Sequence, residues 1–214
     1  MLDKILNDLL PSKTTLVAVS KTKPTEAIMN LYDQGQRIFG ENKVQEVVWK
    51  QEELPKDIEW HLIGHLQTNK VKYIAPFVAL IHSVDSLKLL KEINKQAAKN
   101  NRIIDVLLQF HIATESSKFG LNVHEAKEIL NSDFYKNSNN INVVGVMGMA
   151  TFTDNQEQIK AEFNKLKLTF DDLKNNHENL NVISMGMSGD YQLAISCGSN
   201  MVRIGSSIFG ERNY

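Results

Sequence analysis

A lysine that directly follows an apolar run is the first residue of this chain that could do chemistry. Lys21 comes after the run Leu-Val-Ala-Val-Ser. If that run is a buried strand, the amine of Lys21 is partly removed from water, which lowers the pKa of a lysine and frees it to attack aldehydes. The position by itself favours a solvated loop lysine, so further signals are needed to favour a reactive amine.

Two segments that combine glycine with serine could bind a phosphate group. Residues 184–190 read Ser-Met-Gly-Met-Ser-Gly-Asp, and residues 203–207 read Arg-Ile-Gly-Ser-Ser. Glycines let backbone N–H groups point at an anion, hydroxyls donate further hydrogen bonds, and a following helix adds its positive end. The glycines could instead only form tight turns. An amine for an aldehyde, together with a phosphate cradle, indicates either a sugar phosphate or pyridoxal phosphate as the ligand.

Eight short apolar runs predict the strands that would position these residues. Several runs are rich in Val and Ile and are apolar on consecutive residues, which is typical of parallel strands buried on both faces. The predicted strands are 15–20, 37–40, 59–63, 80–84, 103–110, 142–147, 181–184 and 201–204.

The segments between the predicted strands have the periodicity of helices. Apolar residues between 159 and 173 are spaced by three and four, which places them on one face of a helix. Asn122 with Glu125, and Thr153 with Gln156, have the pattern of helix N-caps. Pro24 is expected in the first turn of a helix. Residues 2–10 predict an additional helix before the first strand.

Strands that alternate with helices predict an α/β protein, a closed (β/α)₈ TIM barrel, with an open doubly wound sheet as the alternative. The chain has 214 residues, somewhat fewer than the usual length of about 250 for such barrels, and we expect one domain over residues 1–214. In a barrel, functional groups gather at the carboxyl ends of the strands. The polar or flexible residues predicted there are Lys21, Glu41, Asn42, His65, Met147, Ser184, Ser188, Arg203 and Ser206.

Composition and charge argue against nucleic acid and membrane as general partners. The net charge is −1, which gives no general attraction to nucleic acid or to an anionic membrane, and we expect neither as a partner. No apolar run approaches the roughly 20 residues that span a bilayer. A single cysteine, Cys197, fits a reducing cytoplasm, and we expect a cytoplasmic monomer.

The sequence contains no metal-binding or nucleotide-binding motif that we can identify. His61 and His65 lack the H-E-x-x-H pattern, so no metal site is predicted. Neither a G-x-G-x-x-G nor a Walker A stretch occurs, so a nucleotide site is not predicted either.

Five segments together resemble one known family. They are VAVSKTKP at 17–24, FGENKVQE at 39–46, WHLIGHLQTNK at 60–70, SMGMSGD at 184–190 and VRIGSSIFG at 202–210, in order across nearly the whole chain. The chain resembles the pyridoxal phosphate homeostasis proteins, which are single-domain relatives of the barrel domain of alanine racemase. The resemblance implies a TIM barrel of the alanine-racemase N-terminal type that binds pyridoxal 5′-phosphate as its cofactor.

The resemblance also implies where the cofactor ring would lie. Lys21 would hold the cofactor as a Schiff base, and Asn42 would neighbour the ring. Met187 would lie beside the cofactor, and Arg203 would face the pyridine nitrogen. The family often has Tyr at the position of Lys43, so this chain departs from the pattern in the loop beside the ring.

For the phosphate, the resemblance implies Ser188, Gly205 and Ser206. The family often has Thr where this chain has Ser206, a change that keeps the hydroxyl. No catalytic residue and no metal ligand is implied.

Three functions remain in competition. The resemblance favours a non-catalytic carrier or buffer of pyridoxal phosphate. Candidate recipients are the cofactor-free forms of enzymes that depend on pyridoxal phosphate. The second is an amino-acid racemase, which needs an acid or base on each face of the substrate. In alanine racemase the opposing base comes from a second subunit and the barrel is followed by a β-domain, which we expect to be absent because this chain ends at Tyr214. The third is a Schiff-base aldolase, which would not need Arg203.

Overall fold

The computed structural model describes residues 2–114 and 119–210, and eight parallel strands in this part of the chain close into a barrel. The strands are β1 Thr15–Val19, β2 Ile38–Glu41, β3 Glu59–Leu62, β4 Leu80–Val84, β5 Ile104–Phe110, β6 Ile141–Gly148, β7 Val182–Met187 and β8 Met201–Ile204. Each strand pairs with the next, and β8 pairs with β1 from Thr15↔Met201 to Ala18↔Ile204. This last pairing confirms the closed barrel and excludes the open sheet.

Helices lie in the connections between the strands, before β1 and after β8. They are α1 Leu2–Leu9, α2 Thr25–Asp33, α3 Val44–Glu53, α4 Val71–Ile74, α5 Leu87–Lys99, α6 Val123–Asn131, α7 Asp133–Lys136, α8 Gln156–Lys174, α9 Tyr191–Ser196 and α10 Ser206–Phe209. Short 3₁₀ turns lie at Leu10–Ser12 and Thr68–Lys70. The helix predicted before the first strand is confirmed as α1.

The predicted helix starts are confirmed in one case and corrected in another. Asn122 and Glu125 form a reciprocal capping box, in which Oδ1 of Asn122 accepts from the Glu125 N–H at 3.0 Å. Thr153 is not the cap of α8, contrary to the prediction. Asn155 caps that helix by accepting from Gln158, and the Thr153 hydroxyl instead accepts from the Asn155 N–H. Pro24 directly precedes α2, where its missing N–H is tolerated.

Every predicted strand is found, and the largest difference is in β7. The prediction ends that strand at residue 184, whereas it continues to Met187, which pairs with Arg203 after a shift in register. Gly186 permits this continuation because its φ is +97°, a conformation that favours glycine. The longer β7 therefore delivers Met187 and Ser188 to the same end of the barrel as Arg203.

The barrel has two apolar layers. Its interior is filled by a small cluster around Val17, Leu80, Leu107, Met147 and Met201, and the larger core lies between the strands and the surrounding helices. Within the described ranges no helix has the length and apolarity that a bilayer crossing requires. The predicted end of the barrel domain involves Tyr214, which lies outside the described residues.

Candidate functional site

A cavity of about 780 Å³ opens at the carboxyl end of the barrel. Its size falls in the range of small-molecule sites. All the cofactor-contacting residues expected from the sequence line it, namely Lys21, Asn42, Met187, Ser188, Arg203, Gly205 and Ser206. The strand ends of β1, β2, β7 and β8 thus bring together residues that are far apart in the chain.

Lys21 lies on a tight turn after β1. The N–H of Ser20 still bonds to the carbonyl of Gly40 on β2 at 3.0 Å, and the N–H of Lys23 returns to the carbonyl of Ser20 at 3.0 Å. Thr22 adopts a φ of +63°, the left-handed region that a residue with a side chain rarely occupies. The half-buried Lys21 side chain lines the cavity from the tip of this turn.

Asn42 and Met187 lie on other walls of the cavity. A Cβ on Gly64 would overlap the main-chain atoms of Asn42, so the loop after β3 packs directly against it. The N–H of Met187 donates to Oδ1 of Asp190 at 2.5 Å, which fixes the turn after β7. Lys43, which stands where the family often has Tyr, is exposed and does not line the cavity.

The two glycine–serine loops meet at one point. The N–H groups of Gly205 and Ser207 both approach Oγ of Ser188, at 3.2 and 3.5 Å. Gly205 has no side chain where a Cβ would lie 3.1 Å from the carbonyl oxygen of Val19. Two backbone donors that converge on one oxygen form a cradle that fits a phosphate oxygen. The contribution of Ser207 was not predicted from the sequence.

Arg203 forms the floor of the cavity and is 4% exposed. Its Nη1 donates to the carbonyl and hydroxyl oxygens of Ser184 at 2.8 and 2.5 Å, and its Nη2 donates to the carbonyl of Gly148 at 3.0 Å. Burial lowers the pKa of Arg203 to about 10, while the charge of Asp190 acts in the opposite direction. The guanidinium therefore stays charged at neutral pH.

Beneath Arg203 lies a chain of polar side chains that the sequence did not reveal. Nδ1 of His82 is 3.1 Å from Oγ of Ser184, and Nε2 of His82 is 3.0 Å from Nδ1 of His61. Desolvation lowers the pKa of His61 to about 3 and the pKa of His82 well below its ordinary value, so both rings are neutral. The signal available in the sequence was a histidine at an inward position of each of two neighbouring strands, β3 and β4.

His65 has a different environment from His61. Its Nδ1 lies 3.4 Å from Oδ2 of Asp85, and its ring stacks on Phe119 with the ring centroids 4.4 Å apart. Across residues 2–114 and 119–210, no group of three or more His, Cys, Asp or Glu side chains is arranged to hold a metal ion.

Comparison with known proteins identifies the family. The sequence model of the protein family described as "Alanine racemase, N-terminal domain" matches residues 3–213 of this chain. The pyridoxal phosphate homeostasis protein of Aquifex aeolicus is 42% identical over 201 residues, which are 93% of this chain and 87% of the relative. PipY of Synechococcus elongatus PCC7942, solved with pyridoxal phosphate bound, has a TM-score of 0.87 at 32% identity, covering 98% of each chain.

The same fold extends to more distant structures. The alanine racemase of Clostridium difficile 630 has a TM-score of 0.76 at 16% identity, over 100% of this chain and 60% of the racemase, a likeness that shows the fold alone. The high identity to the Aquifex protein over almost the full length of both chains places this protein more narrowly. The chain belongs to the pyridoxal phosphate homeostasis protein family, within the family of the alanine racemase N-terminal domain.

Proposed function

We propose that this protein binds pyridoxal 5′-phosphate and serves its homeostasis as a carrier or buffer, with the cofactor held as a Schiff base on Lys21. The observation that carries the proposal is the convergence, in one cavity, of the Lys21 side chain, the backbone donors around Ser188 and the buried Arg203. The names of the relatives and the ligand of PipY support it. Residues 1–214 form the single cofactor-binding domain in this proposal.

Lys21 supplies the amine. Pyridoxal phosphate, when bound, supplies an aldehyde that condenses reversibly with primary amines. Lys21 would hold the cofactor by condensing with this aldehyde: a C=N bond would replace the C=O bond, whose oxygen would leave as water. Because the reaction is reversible, a competing amine can release the cofactor from Lys21.

Neutral donors hold the phosphate. The backbone N–H groups of Gly205 and Ser207 converge on Oγ of Ser188, and Ser188 and Ser206 both line the cavity at this place. Lys23 lines the cavity too, but its Nζ donates to the carbonyls of Phe209 and Gly210 at 3.1 and 3.2 Å. Lys23 thereby ties the end of α10 to the loop after β1, which keeps the cradle beside Lys21.

Arg203 would face the pyridine nitrogen of the cofactor, and an arginine at that place disfavours strong catalysis. An arginine only donates hydrogen bonds and stays charged, so it favours an unprotonated ring nitrogen and a weaker electron sink. Alanine racemase tolerates such an arrangement, so Arg203 does not by itself exclude catalysis. The relatives, however, are named as homeostasis proteins and not as enzymes, which supports a non-enzymatic role.

In the cell, this function would be the supply of pyridoxal phosphate to other proteins. The protein would be a cytoplasmic monomer that releases pyridoxal phosphate to enzymes that lack their cofactor. Size-exclusion chromatography with light scattering tests the monomer. Mixing the loaded protein with a cofactor-free pyridoxal phosphate enzyme, on the two sides of a dialysis membrane and in direct contact, distinguishes simple release from transfer between proteins.

The covalent link has a direct test. The purified protein is mixed with pyridoxal phosphate, its visible absorption is recorded before and after borohydride reduction, and the labelled peptide is mapped by mass spectrometry. A pyridoxyl group on Lys21 is the expected result. A label on Lys23 or Lys43 instead would contradict the assignment, and Lys21→Ala should lose the visible band while retaining phosphate-dependent binding.

A further inference from the structure

The turn that carries Lys21 is tied to carboxylates on both sides of this residue. Oγ of Ser20 donates to Oε1 of Glu41 at 2.6 Å. The N–H of Thr22 donates to Oε1 of Glu46 at 2.5 Å. Neither Glu41 nor Glu46 lines the cavity, so both contacts to the turn come from outside the candidate binding site.

Lys50 on α3 connects the two carboxylates to the turn. Its Nζ donates to the carbonyl of Ser20, to Oε1 of Glu41 and to Oε1 of Glu46, each at 2.8 Å. An ammonium has three N–H donors, so this arrangement uses all of them. The Lys50 and Glu41 side chains are 0% exposed, and Glu46 is 14% exposed. The main chain before Lys21 is therefore held by a buried charge.

Stability alone explains this cluster poorly. A buried ion pair is often no better for stability than apolar residues of the same volume, because two charges must be removed from water. Here two carboxylates share one ammonium, burial raises the pKa of Glu41, and its Oε2 has no partner among the described residues. The cluster also holds Thr22 in a left-handed conformation that is unfavourable for a residue with a side chain. What the cluster does accomplish is to fix the backbone on both sides of Lys21.

We propose that Glu41, Glu46 and Lys50 are positioning residues for Lys21, which hold the turn at residues 20–22 so that the amine is presented to the cavity. The inference rests on the proposed function, because it assumes that the Lys21 amine is the group that reacts. A nucleophile displaced by about 1 Å can lose on the order of a hundredfold in rate. Loosening the cluster should therefore slow the covalent step without disturbing the phosphate cradle, which lies on other strands.

The test compares two variants with a matched control. Glu46→Gln removes the charge that accepts from Thr22. The double variant Glu41→Gln/Lys50→Met removes both members of the fully buried pair together and leaves the partly exposed Glu46 with the Thr22 N–H. Glu53→Gln makes the same chemical change at an exposed position of the same helix. For each protein, the rate at which borohydride traps a label on Lys21 is measured after mixing with pyridoxal phosphate. The affinity for pyridoxine 5′-phosphate, which has the ring and phosphate but no aldehyde, is measured in parallel.

The expected result is a split between the two measurements. Trapping on Lys21 should slow by about tenfold or more in both cluster variants, while the affinity for pyridoxine 5′-phosphate changes by less than about twofold. Hydrogen exchange of the cofactor-free protein should be faster at the Thr22 amide in Glu46→Gln than in wild type or in Glu53→Gln.

The outcomes separate the two proposals. If wild type labels on Lys21 and both cluster variants label at the wild-type rate, the positioning role is overturned and the proposed function stands. Equal losses in trapping and in pyridoxine phosphate binding would mean that the cluster only maintains the fold, which also overturns the inference. If wild type is never labelled on Lys21, both proposals fail.

Discussion

Arg203 donates from Nη1 to the hydroxyl oxygen of Ser184 at 2.5 Å, and this contact sets the direction of the hydrogen bonds beyond it. An arginine cannot accept, so the proton of the Ser184 hydroxyl is not used in its contact with Arg203. One tautomer gives a continuous chain from there: Ser184 donates to Nδ1 of His82, and His82, with its proton on Nε2, donates to Nδ1 of His61. The charged Arg203 is thus linked through Ser184 to the buried histidines of β3 and β4.

Ser184→Ala should therefore be costly. It removes the hydroxyl that accepts from Arg203 and leaves Nδ1 of buried His82 without its hydrogen-bond partner. A buried polar group left unsatisfied costs about 1–3 kcal/mol, so the free energy of unfolding should fall by about that amount. Urea denaturation of the cofactor-free protein measures it.

Ser83→Ala is the matched control for this prediction. Ser83 is as deeply buried as Ser184, but its Oγ has no hydrogen-bond partner among the described residues. Removing that hydroxyl should leave stability unchanged or raise it, because no bond is lost. Equal losses in the two variants would contradict the account of the Arg203–Ser184–His82 chain.

The two buried histidines predict a loss of stability in mild acid. Both rings are held neutral in the fold because burial lowers their pKa, to about 3 for His61 and well below the ordinary value for His82. The unfolded chain binds these protons near pH 6.5, so the stabilising contribution is complete above that pH and is lost as pH falls towards 3. The slope should approach about 1.4 kcal/mol per pH unit for each histidine, measured by urea denaturation at several pH values.

A variant isolates this contribution. Glu41 changes stability with pH in the opposite direction from the two histidines. Burial raises the pKa of its carboxyl group, so the contribution of Glu41 to stability is lost as pH rises through its pKa in the fold. The informative quantity is therefore the difference between wild type and His61→Asn, which should have a shallower dependence below pH 6.5. Parallel curves for wild type and His61→Asn would contradict this account.

Gly205→Val should weaken the phosphate cradle. A Cβ at this position would lie 3.1 Å from the Val19 carbonyl oxygen and 3.3 Å from the Val19 Cβ, so the loop has to shift and its N–H donors move with it. Affinity for pyridoxal phosphate should fall by about tenfold or more, whereas unphosphorylated pyridoxal should be much less affected. Equilibrium dialysis with both ligands gives the comparison.

Gly189→Val supplies the control. Gly189 lies in the neighbouring loop and also lines the cavity, but a Cβ there would have nothing within 4 Å. This variant should bind both ligands nearly as wild type does. If Gly205→Val weakens pyridoxal and pyridoxal phosphate equally, the cradle has been assigned to the wrong loop.

The fourth prediction concerns amino acids. In its proposed place at the pyridine nitrogen, Arg203 would favour the unprotonated form of the ring. The loaded protein should therefore exchange its cofactor with free amines but labilise the α-hydrogen of amino acids slowly or not at all. The measurement is α-deuterium incorporation into L- and D-alanine and serine in deuterated water. Rapid exchange or racemisation that disappears in Lys21→Ala would favour a racemase-like enzyme over a carrier.

The fold was largely predictable because each strand is a short apolar run. Runs such as 15–20 and 80–84 have consecutive apolar residues, since both faces of a barrel strand are buried, and each was predicted to within a few residues. The end of β7 was not, because Gly186 interrupts the apolar pattern while the backbone pairing continues beyond it. The helix cap at Asn155 was misplaced by two residues because Thr153 is also a residue that caps helices.

The supporting residues of the site were hidden from sequence for a different reason. Lys50 stands in the charged stretch Lys-Gln-Glu-Glu, which is typical of a solvated helix face, yet it is completely buried. The contact between His61 and His82 depends on how the barrel interior brings neighbouring strands together, which no local pattern encodes. Residues that line the cavity could be inferred from motifs, whereas those that hold them depend on contacts between distant segments.

The pairing of β1 with β8 has a consequence for synthesis of the protein on the ribosome. Lys21 follows the first strand and Gly205 follows the last, and a Cβ on Gly205 would contact Val19, so the two halves of the candidate site come from opposite ends of the chain. At ordinary rates of translation, Lys21 emerges on the order of ten seconds or more before Gly205 has been made. In the proposed function, a growing chain exposes the Lys21 amine long before the loop for the phosphate exists, and tight capture of the cofactor has to wait until the barrel closes.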